Sequence, residues 1–261
     1  MSRIVAITNQ KGGVGKTTTA VNLAAGLAQL GQRVLLVDLD PQGNATMGSG
    51  IDKRTLDKTV YQVLLGQTRS ADVIRRSPPG GYDLMPANRD LAGAEVEMVA
   101  IAQRETRLKD ELRALNGRYD HVLIDCPPAL NLLTVNALAA ADAVLIPMQC
   151  EYFALEGLTD LVNTIKKVKA GLNPMIEIEG LLRVMFDPRN TLSQQVSDQL
   201  KGHFGAKVFD TVIPRNVRLA EAPSHGLNAL AYDRGSKGAQ AYLRLAEEFT
   251  ARSRLRAKET R

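Results

Sequence analysis

The feature that most constrains this chain is a glycine-rich run, KGGVGKTT, at residues 11–18. It follows a short apolar segment, IVAI at residues 4–7, and precedes a stretch with a helical pattern. Glycines let successive backbone N–H groups turn inward around a phosphate, and a helix N-terminus adds partial positive charge there. The order of strand, loop, Lys-Thr and helix predicts a phosphate-binding loop.

The loop departs from the common P-loop pattern at one position, because Gln10 stands where the first glycine is expected. Lys16 is expected to supply a positive charge to the β- and γ-phosphates, and the Thr17 hydroxyl is placed to ligate Mg²⁺. The nucleotide ligands are expected to come from the whole run: Lys11, Gly12, Gly13, Val14, Gly15, Lys16, Thr17 and Thr18.

Lys11 needs a separate explanation, because one lysine is enough to serve the phosphates from inside the loop. A second lysine at the outer edge of the loop could reach a phosphate bound to another subunit. The alternative is an ordinary solvated surface lysine.

Apolar runs alternate with helical patterns along the rest of the chain. Predicted strands lie at residues 34–37, 122–124, 143–146, 180–184 and 208–213, and predicted helices at about 17–30, 103–115, 131–141 and 156–170. This alternation predicts an α/β fold, a single domain of the P-loop NTPase type with a mostly parallel, twisted sheet and helices on both faces. The domain is expected to cover residues 1–251.

Composition and charge narrow the class of protein. Hydrophobic residues make up 44% of the chain and charged residues 23%, as in ordinary soluble globular proteins. No apolar run approaches the roughly 18 residues of a membrane span, the first strand leaves no room for a signal peptide, and the two cysteines make no disulfide framework. We therefore expect a cytoplasmic protein.

Most of the net charge of +5 lies in residues 252–261, which hold five basic residues and one acidic residue. This basic tail is expected to be frayed and solvated. It could add non-specific attraction to a polyanion, or it could simply favour solubility.

Three carboxylates follow predicted strands, where ligands collect in open α/β sheets. Asp38 is the candidate for the Mg²⁺ shell or for the loop lysine, and Asp40 is the candidate for orienting the attacking water. Asp125 ends an apolar strand as a Walker B residue does, which puts a negative charge beside the metal. The Cys126-Pro127-Pro128 segment after it is either a switch next to the γ-phosphate or a structural turn.

Residues 213–218, IPRNVR, follow the last predicted strand. A backbone held by Pro214 and the amide of Asn216 could read the edge of an adenine.

Taken together, these segments resemble the ParA/Soj-type partitioning ATPases of the deviant Walker A family, over almost the whole chain. The resemblance is carried by residues 8–18 (TNQKGGVGKTT), 37–44 (VDLDPQGN), 124–128 (IDCPP), 149–157 (QCEYFALEG), 214–219 (PRNVRL) and 221–226 (EAPSHG). The early lysine and the last two segments are specific to this group.

The resemblance implies a cycle that uses ATP and Mg²⁺. ATP closes a sandwich homodimer, in which Lys11 reaches the partner's nucleotide, and the dimer binds double-stranded DNA without sequence preference. A ParB-type partner stimulates hydrolysis, for which Asp40 is needed, and the protein is then nucleoid-associated. Because the chain starts at its first strand, we expect no N-terminal helix-turn-helix domain and no operator binding.

The resemblance matches Arg189 and Arg218 to basic positions used for DNA. Arg215 lies in a predicted loop and Arg183 near a predicted strand end, so both are also expected to project into solvent. Phosphate contacts carry no sequence information, which suits binding anywhere on a nucleoid. The alternative for each is an ordinary surface arginine.

Other classes with the same fold stay open at this point. A MinD-type membrane ATPase needs a C-terminal amphipathic helix, but Leu255 is the only bulky apolar residue of the tail, so no membrane partner is expected. An iron–sulfur ATPase needs cysteines at the subunit interface, and neither Cys126 nor Cys150 has that setting. Ligases and amidotransferases need a second substrate pocket, which nothing in the sequence marks. A paralogue that positions another cargo is also open.

Overall fold

The computed structural model describes residues 2–115 and 117–259 and is built around one eight-stranded sheet. The strands are β1 Arg3–Ile7, β2 Val34–Asp38, β3 Arg75–Arg76, β4 Asp83–Met85, β5 His121–Asp125, β6 Ala143–Gln149, β7 Glu177–Phe186 and β8 Val208–Pro214. Their order across the sheet is β3-β4-β2-β5-β1-β6-β7-β8. Every pairing is parallel except the antiparallel contact of β3 with β4. The mostly parallel α/β sheet is confirmed.

Twelve α-helices surround the sheet in the described part of the chain. They are α1 Lys16–Gln29, α2 Asn44–Gly48, α3 Val60–Leu64, α4 Ser70–Val73, α5 Leu91–Glu97, α6 Arg107–Ala114, α7 Leu132–Ala140, α8 Ala154–Gly171, α9 Thr191–Phe204, α10 Val217–Glu221, α11 Ala229–Tyr232 and α12 Lys237–Glu259. Short 3₁₀ turns lie at Lys53–Thr55, Met98–Ala100, Gly205–Lys207 and Ala222–His225.

Helices cover both faces of the sheet because the central strands are apolar on both sides. In β1, Val5 and Ile7 join a core formed with α1 and α12, whereas Ala6 joins a second core formed with α3 and α5–α9. One face of α12 packs inward, with Tyr242, Leu245, Ala246 and Phe249 buried against the first core. The two-sided packing fixes the parallel strands so that their carboxyl ends meet at one edge.

The prediction of a frayed tail is wrong for the part of it that the structure describes. Helix α12 crosses the expected boundary at residue 251 and continues to Glu259. Arg252 donates to the carbonyls of Ala206 and Val208 (2.9 Å each), and Arg256 donates to the buried carboxylate of Glu179 (2.7 Å). These basic side chains hold the helix because they find acceptors within the fold. Residues 260 and 261 of the expected tail lie outside the described residues.

None of the helices in the described ranges is both long and apolar enough to cross a bilayer.

Candidate nucleotide site at the carboxyl edge of the sheet

The predicted phosphate loop lies between the end of β1 and the start of α1, at the carboxyl edge of the sheet. Gly13 and Gly15 have φ angles of +72° and +73°, a region that side chains with a Cβ rarely adopt. The amide of Thr19 donates to the carbonyl of Gly15 (2.9 Å), so the helix starts directly from the loop. Gly15 and the helix N-terminus therefore meet where the sequence predicts a phosphate.

Lys16 is buried beneath this loop. Its Nζ donates to the carbonyl of Lys11 (3.0 Å), which places the ammonium group across the mouth of the loop. Burial lowers the pKa of Lys16, and the negative charges of Asp125 and Asp40 oppose that shift. The ammonium group thus lies between the loop and the acidic residues, as a lysine that serves nucleotide phosphates requires.

Lys11 points away from Lys16 and is half-exposed. Its Nζ donates to Glu151 Oε2 (2.5 Å), just after β6, and its backbone N–H donates to Asn9 Oδ1 (3.0 Å). An ion pair this exposed contributes little to stability. Lys11 can therefore exchange Glu151 for another anion at low cost.

Asp38 and Asp125 are direct neighbours in the register of β2 and β5, and both are fully buried. Asp38 Oδ2 accepts from the backbone N–H (2.8 Å) and the hydroxyl (2.7 Å) of Thr46, and Oδ1 accepts from the Asp40 N–H (3.1 Å). Burial raises the pKa of Asp38 to about 6, against the effect of these hydrogen bonds. Asp38 therefore anchors the start of α2 as well as lying beside the loop.

Asp125 is the carboxylate that fits a metal ion. Neither of its oxygens makes a hydrogen bond of normal geometry, although the Thr17 hydroxyl lies near enough to lower its pKa. Burial and then the charge of Asp38 raise the pKa of Asp125 well above its usual range. Buried carboxylate oxygens without partners are rare, and a divalent cation would satisfy them.

Thr17 and Asp125 are thus the residues that would hold Mg²⁺, with Asp38 behind them. In the described residues no cluster of three or more His, Cys, Asp or Glu forms a cage for a metal. Mg²⁺ is commonly bound by one or two protein groups together with water and substrate phosphates, so this sparse set suits it.

Asp40 lies at the rim of the site and is only partly buried. Its Oδ1 accepts from the N–H of Gln42 (2.9 Å), in the turn that leads to Gly43. Its charge acts on Lys16 and on Asp125, so it belongs to the same electrostatic group. A partly solvated carboxylate in this place can orient a water molecule, as the sequence predicts.

A mostly apolar cavity of about 400 Å³ adjoins the loop. Gly15 and Thr18 form one wall, and both residues predicted to read a base, Pro214 and Asn216, form part of another. Asn216 Oδ1 caps α10 by accepting from the Arg218 N–H (3.0 Å), which leaves Nδ2 free to donate. The cavity suits a flat heteroaromatic ring with acceptor nitrogens at its edge.

Three of the four arginines predicted to bind DNA are exposed at the same edge. Arg189 forms a two-pronged ion pair with Asp187 (3.0 and 2.8 Å), and Arg215 lies near enough to lower the pKa of that carboxylate further. Arg218 pairs with Glu221 (2.9 Å) and Asp233 (3.4 Å). Such surface pairs are weak and leave the guanidinium groups available.

The expectation for Arg183 is wrong, because its side chain is buried within the fold. It donates to Ser197 Oγ (2.9 Å) and to the carbonyls of Phe209 (2.7 Å) and Asp210 (3.0 Å). Strand β7 runs on to Phe186, so Arg183 lies inside a strand and not at its end. It ties β7 to α9 and β8 and has no access to a ligand in solution.

Three residues of the site were not predicted from the sequence. Thr46 holds Asp38 through hydrogen bonds, and Val184 and Met185 line the apolar cavity beside Pro214 and Asn216, here called the base cavity. For Thr46 a signal exists, since residues 44–46 open a helix after the acidic turn. Met185 carries no such signal; its φ of +49° is unusual for a residue with a side chain and is visible only in the structure.

Comparison with known proteins gives the family of this chain. Residues 2–178 match the family model described as an AAA domain. The chromosome partitioning protein ParA of Caulobacter vibrioides is 54% identical over 254 residues, covering 97% of this chain and 95% of that protein. The sporulation initiation inhibitor protein Soj of Bacillus subtilis is also 54% identical, covering 96% and 99%.

Among solved structures, a cobyrinic acid a,c-diamide synthase from Mycobacterium smegmatis with a bound ATP analogue and magnesium has a TM-score of 0.83. It is 40% identical and covers 95% of this chain and 93% of that one.

The fold and the loop define the class, a P-loop ATPase that uses ATP and Mg²⁺. Within that class, the chain belongs to the ParA/Soj family of partitioning ATPases.

Proposed function

We propose that this protein is a DNA-segregation ATPase in which ATP binding forms a sandwich homodimer that binds DNA without sequence preference. A ParB-type, centromere-binding partner stimulates hydrolysis, and hydrolysis releases the dimer from DNA. The protein is then cytoplasmic and nucleoid-associated. The observation that supports this most directly is Lys11, a half-exposed lysine of the phosphate loop whose ammonium group pairs with the exposed Glu151.

Each charged group at the site has a separate role in this cycle. Lys16 serves the nucleotide of its own subunit from beneath the loop, and Lys11 reaches outward to the nucleotide of the second subunit. When bound, Mg²⁺ would offset the charge of the β- and γ-phosphates beside Thr17 and Asp125. Asp40 orients the attacking water from the outer edge of the nucleotide site, where it remains partly solvated.

The DNA step is carried by exposed arginines at the same edge of the sheet. Arg189, Arg215 and Arg218 give non-specific contacts, because phosphates carry no sequence information. A dimer doubles each contact, so a firmly bound dimer and a weakly bound monomer follow from the same side chains. Relatives that are named chromosome partitioning proteins support chromosomal DNA as the cargo that the cycle moves. The nearest alternative is that the same cycle moves another cargo.

A MinD-like membrane role has less support. The apolar face of α12 is used inside the fold, and Arg252 and Arg256 are bound to internal acceptors. In the described part of this helix, Leu255 is the exposed large apolar residue. A single leucine is too little for interfacial membrane binding by an amphipathic helix.

The experiment is the binding of the Asp40→Ala protein to random-sequence duplex DNA, with ATP and with ADP, over a salt series. We expect tight, salt-sensitive binding with ATP only. Binding in neither nucleotide state would remove the DNA function, and vesicle flotation would then test the membrane alternative.

A further inference from the structure

Exposed apolar side chains are concentrated at the carboxyl edge of the sheet. Among the described residues ten large apolar side chains are exposed, and five of them directly follow the carboxyl ends of β5 to β8. They are Leu130 after β5, Tyr152 and Phe153 after β6, Leu192 after β7 and Val217 after β8. Scattered exposed apolar residues are normal, but a concentration on one edge indicates a surface that another molecule covers.

Three of these residues, here called the apolar rim, flank Lys11: Leu130 on one side, Tyr152 and Phe153 on the other. The strand order β5-β1-β6 places the loops after β5 and β6 on either side of the phosphate loop that follows β1. Tyr152 and Phe153 are 74% and 70% exposed, and their rings pack edge to face with centroids 5.0 Å apart. They directly follow Glu151, the ion-pair partner of Lys11.

We propose that the apolar rim is the anchor through which a second copy of this chain packs over the nucleotide. This inference rests on the proposed ATP-dependent dimer and names the side chains that hold it together. Lys11 supplies a charged contact, and the rim supplies aromatic and apolar surface on both sides of it, side chains of the kind that carry binding energy at interfaces.

A twofold axis near Lys11 pairs the two sides of the rim. In an isologous contact each subunit presents the same surface, and rotation by 180° about an axis normal to the sheet turns the second carboxyl edge to face the first and exchanges left and right. The loop after β6 of one copy then faces the loop after β5 of its partner. Tyr152 and Phe153 would therefore pack against Leu130 of the partner subunit.

Other occupants fit less well. DNA is disfavoured because the rim offers apolar rings and the carboxylate of Glu151, whereas phosphate contacts need cations. The exposed arginines follow β7 and β8, so the surface suited to DNA lies beside the rim and does not coincide with it. A different protein partner is the remaining alternative, and the experiment separates it from a second copy.

The test measures dimer affinity by sedimentation velocity with ATP, in an Asp40→Ala parent that retains ATP. Tyr152→Ser combined with Phe153→Ser should weaken the dimer on the order of tenfold to a hundredfold. Affinity of the monomer for a fluorescent ATP analogue should not change, because both rings are mostly exposed and lie outside the phosphate loop. Met175→Ser is the matched control: Met175 is 77% exposed but precedes β7, at the opposite edge, so the dimer should be unaffected.

Leu130→Ser gives a second, independent variant in case the double serine variant melts early by circular dichroism. Retained dimer affinity in a folded rim variant overturns the proposal. So does a rim variant that dimerises normally but, with Asp40 intact, has lost the stimulation of hydrolysis by the ParB-type partner, since the rim would then bind that protein. A parent that stays monomeric with ATP would remove the proposed function itself, whereas a dimeric parent with an equally dimeric serine variant removes only this inference.

Discussion

At the scale of single residues, this site depends on how burial divides similar side chains into different roles. Lys16 is buried beneath the loop and Lys11 is half-exposed, although both belong to the same eight-residue run. Asp125 is buried without hydrogen-bond partners, Asp38 is buried with them, and Asp40 is partly solvated. These differences suit the groups to the separate roles proposed for them: phosphate binding, metal binding, support and water orientation.

Lys16→Ala should lower the affinity for ATP on the order of a hundredfold, because the variant has no ammonium group to donate to the phosphates. Isothermal titration calorimetry measures it directly. The Lys11→Ala protein is the control: as a monomer it should bind ATP almost normally, since Lys11 points away from its own loop. Unchanged affinity in Lys16→Ala would refute the assignment of the loop.

Arg183→Ala separates the buried arginine from the DNA-binding surface. It should cost about 1–3 kcal/mol of unfolding free energy, because the carbonyls of Phe209 and Asp210 lose their donor.

Arg189→Glu and Arg218→Glu should leave stability and the ATP dimer intact but abolish DNA binding. In a single variant that retains measurable binding, the salt slope of log K should fall by about 0.9 for each phosphate that it no longer neutralises.

Denaturant melts together with DNA titrations over a salt series check this set. An Arg189→Glu, Arg218→Glu protein that still binds DNA would move the DNA surface elsewhere on the molecule.

At the scale of elements, the loops after parallel strands carry the site, and the helices behind them hold those loops in place. Gly26 of α1 shows how closely they pack, because a Cβ on this residue would lie 2.8 Å from the Cβ of Ala246 in α12. The same pair of helices forms the wall of the base cavity through Thr18 and Tyr242. The amino end of β5 packs on α12 one turn further along, through the edge-to-face contact of His121 with Phe249.

Gly12→Val tests the loop as a surface. A Cβ on Gly12 would meet nothing within 4 Å, so the variant should fold and bind ATP as a monomer. It should fail to dimerise, because the valine extends into the space that a second subunit needs. Light scattering with ATP measures this, with Gly12→Ala as the milder control; a full-sized ATP dimer of Gly12→Val would count against a contact at the loop.

His121 makes the contact between β5 and α12 sensitive to acid. Burial, followed by the charge of Arg3, lowers the pKa of His121 to about 4, against about 6.5 in an unfolded chain. Between these pH values the unfolded chain binds more protons, so the free energy of unfolding falls as the pH falls from 6.5 to 4. This contribution is fully present above pH 6.5.

The His121→Leu protein should lack this acid-sensitive contribution. Relative to wild type, its free energy of unfolding should rise by about 2 kcal/mol between pH 7 and pH 5. Urea melts of both proteins at the two pH values measure this difference. The raised pKa of Asp38 changes the pH dependence in the opposite direction, but it does so in both proteins and therefore cancels. Equal pH dependence in the two proteins would mean that His121 is solvated.

At the scale of the whole molecule, all the chemistry lies on one edge of one sheet. The parallel order brings together the phosphate loop after β1, the carboxylates after β2 and β5, the rim after β5 and β6, and the arginines after β7 and β8. This placement on one edge would couple ATP binding to the proposed self-association and the proposed DNA binding. The opposite edge is held by ion pairs of Glu179 with Arg3 and Arg256.

The sequence by itself determined the local part of this result. The loop at residues 11–18, the strands before Asp38 and Asp125, and the segment around Asn216 depend on short-range rules: glycine torsions, apolar runs and helix starts. Those rules act over a few residues, so they identify the fold class and the candidate ligands without knowledge of contacts.

Only the tertiary structure decided which charged groups are buried and what they meet. Arg183 and Arg189 look alike in sequence, yet one is bonded inside the fold and the other is exposed. The composition of the tail from Arg252 predicts a solvated segment, but its arginines find acceptors contributed by β7, β8 and the 3₁₀ turn before β8. The physical reason is that desolvation and pairing depend on partners distant in the chain, and a pattern of residue types does not specify where those partners lie.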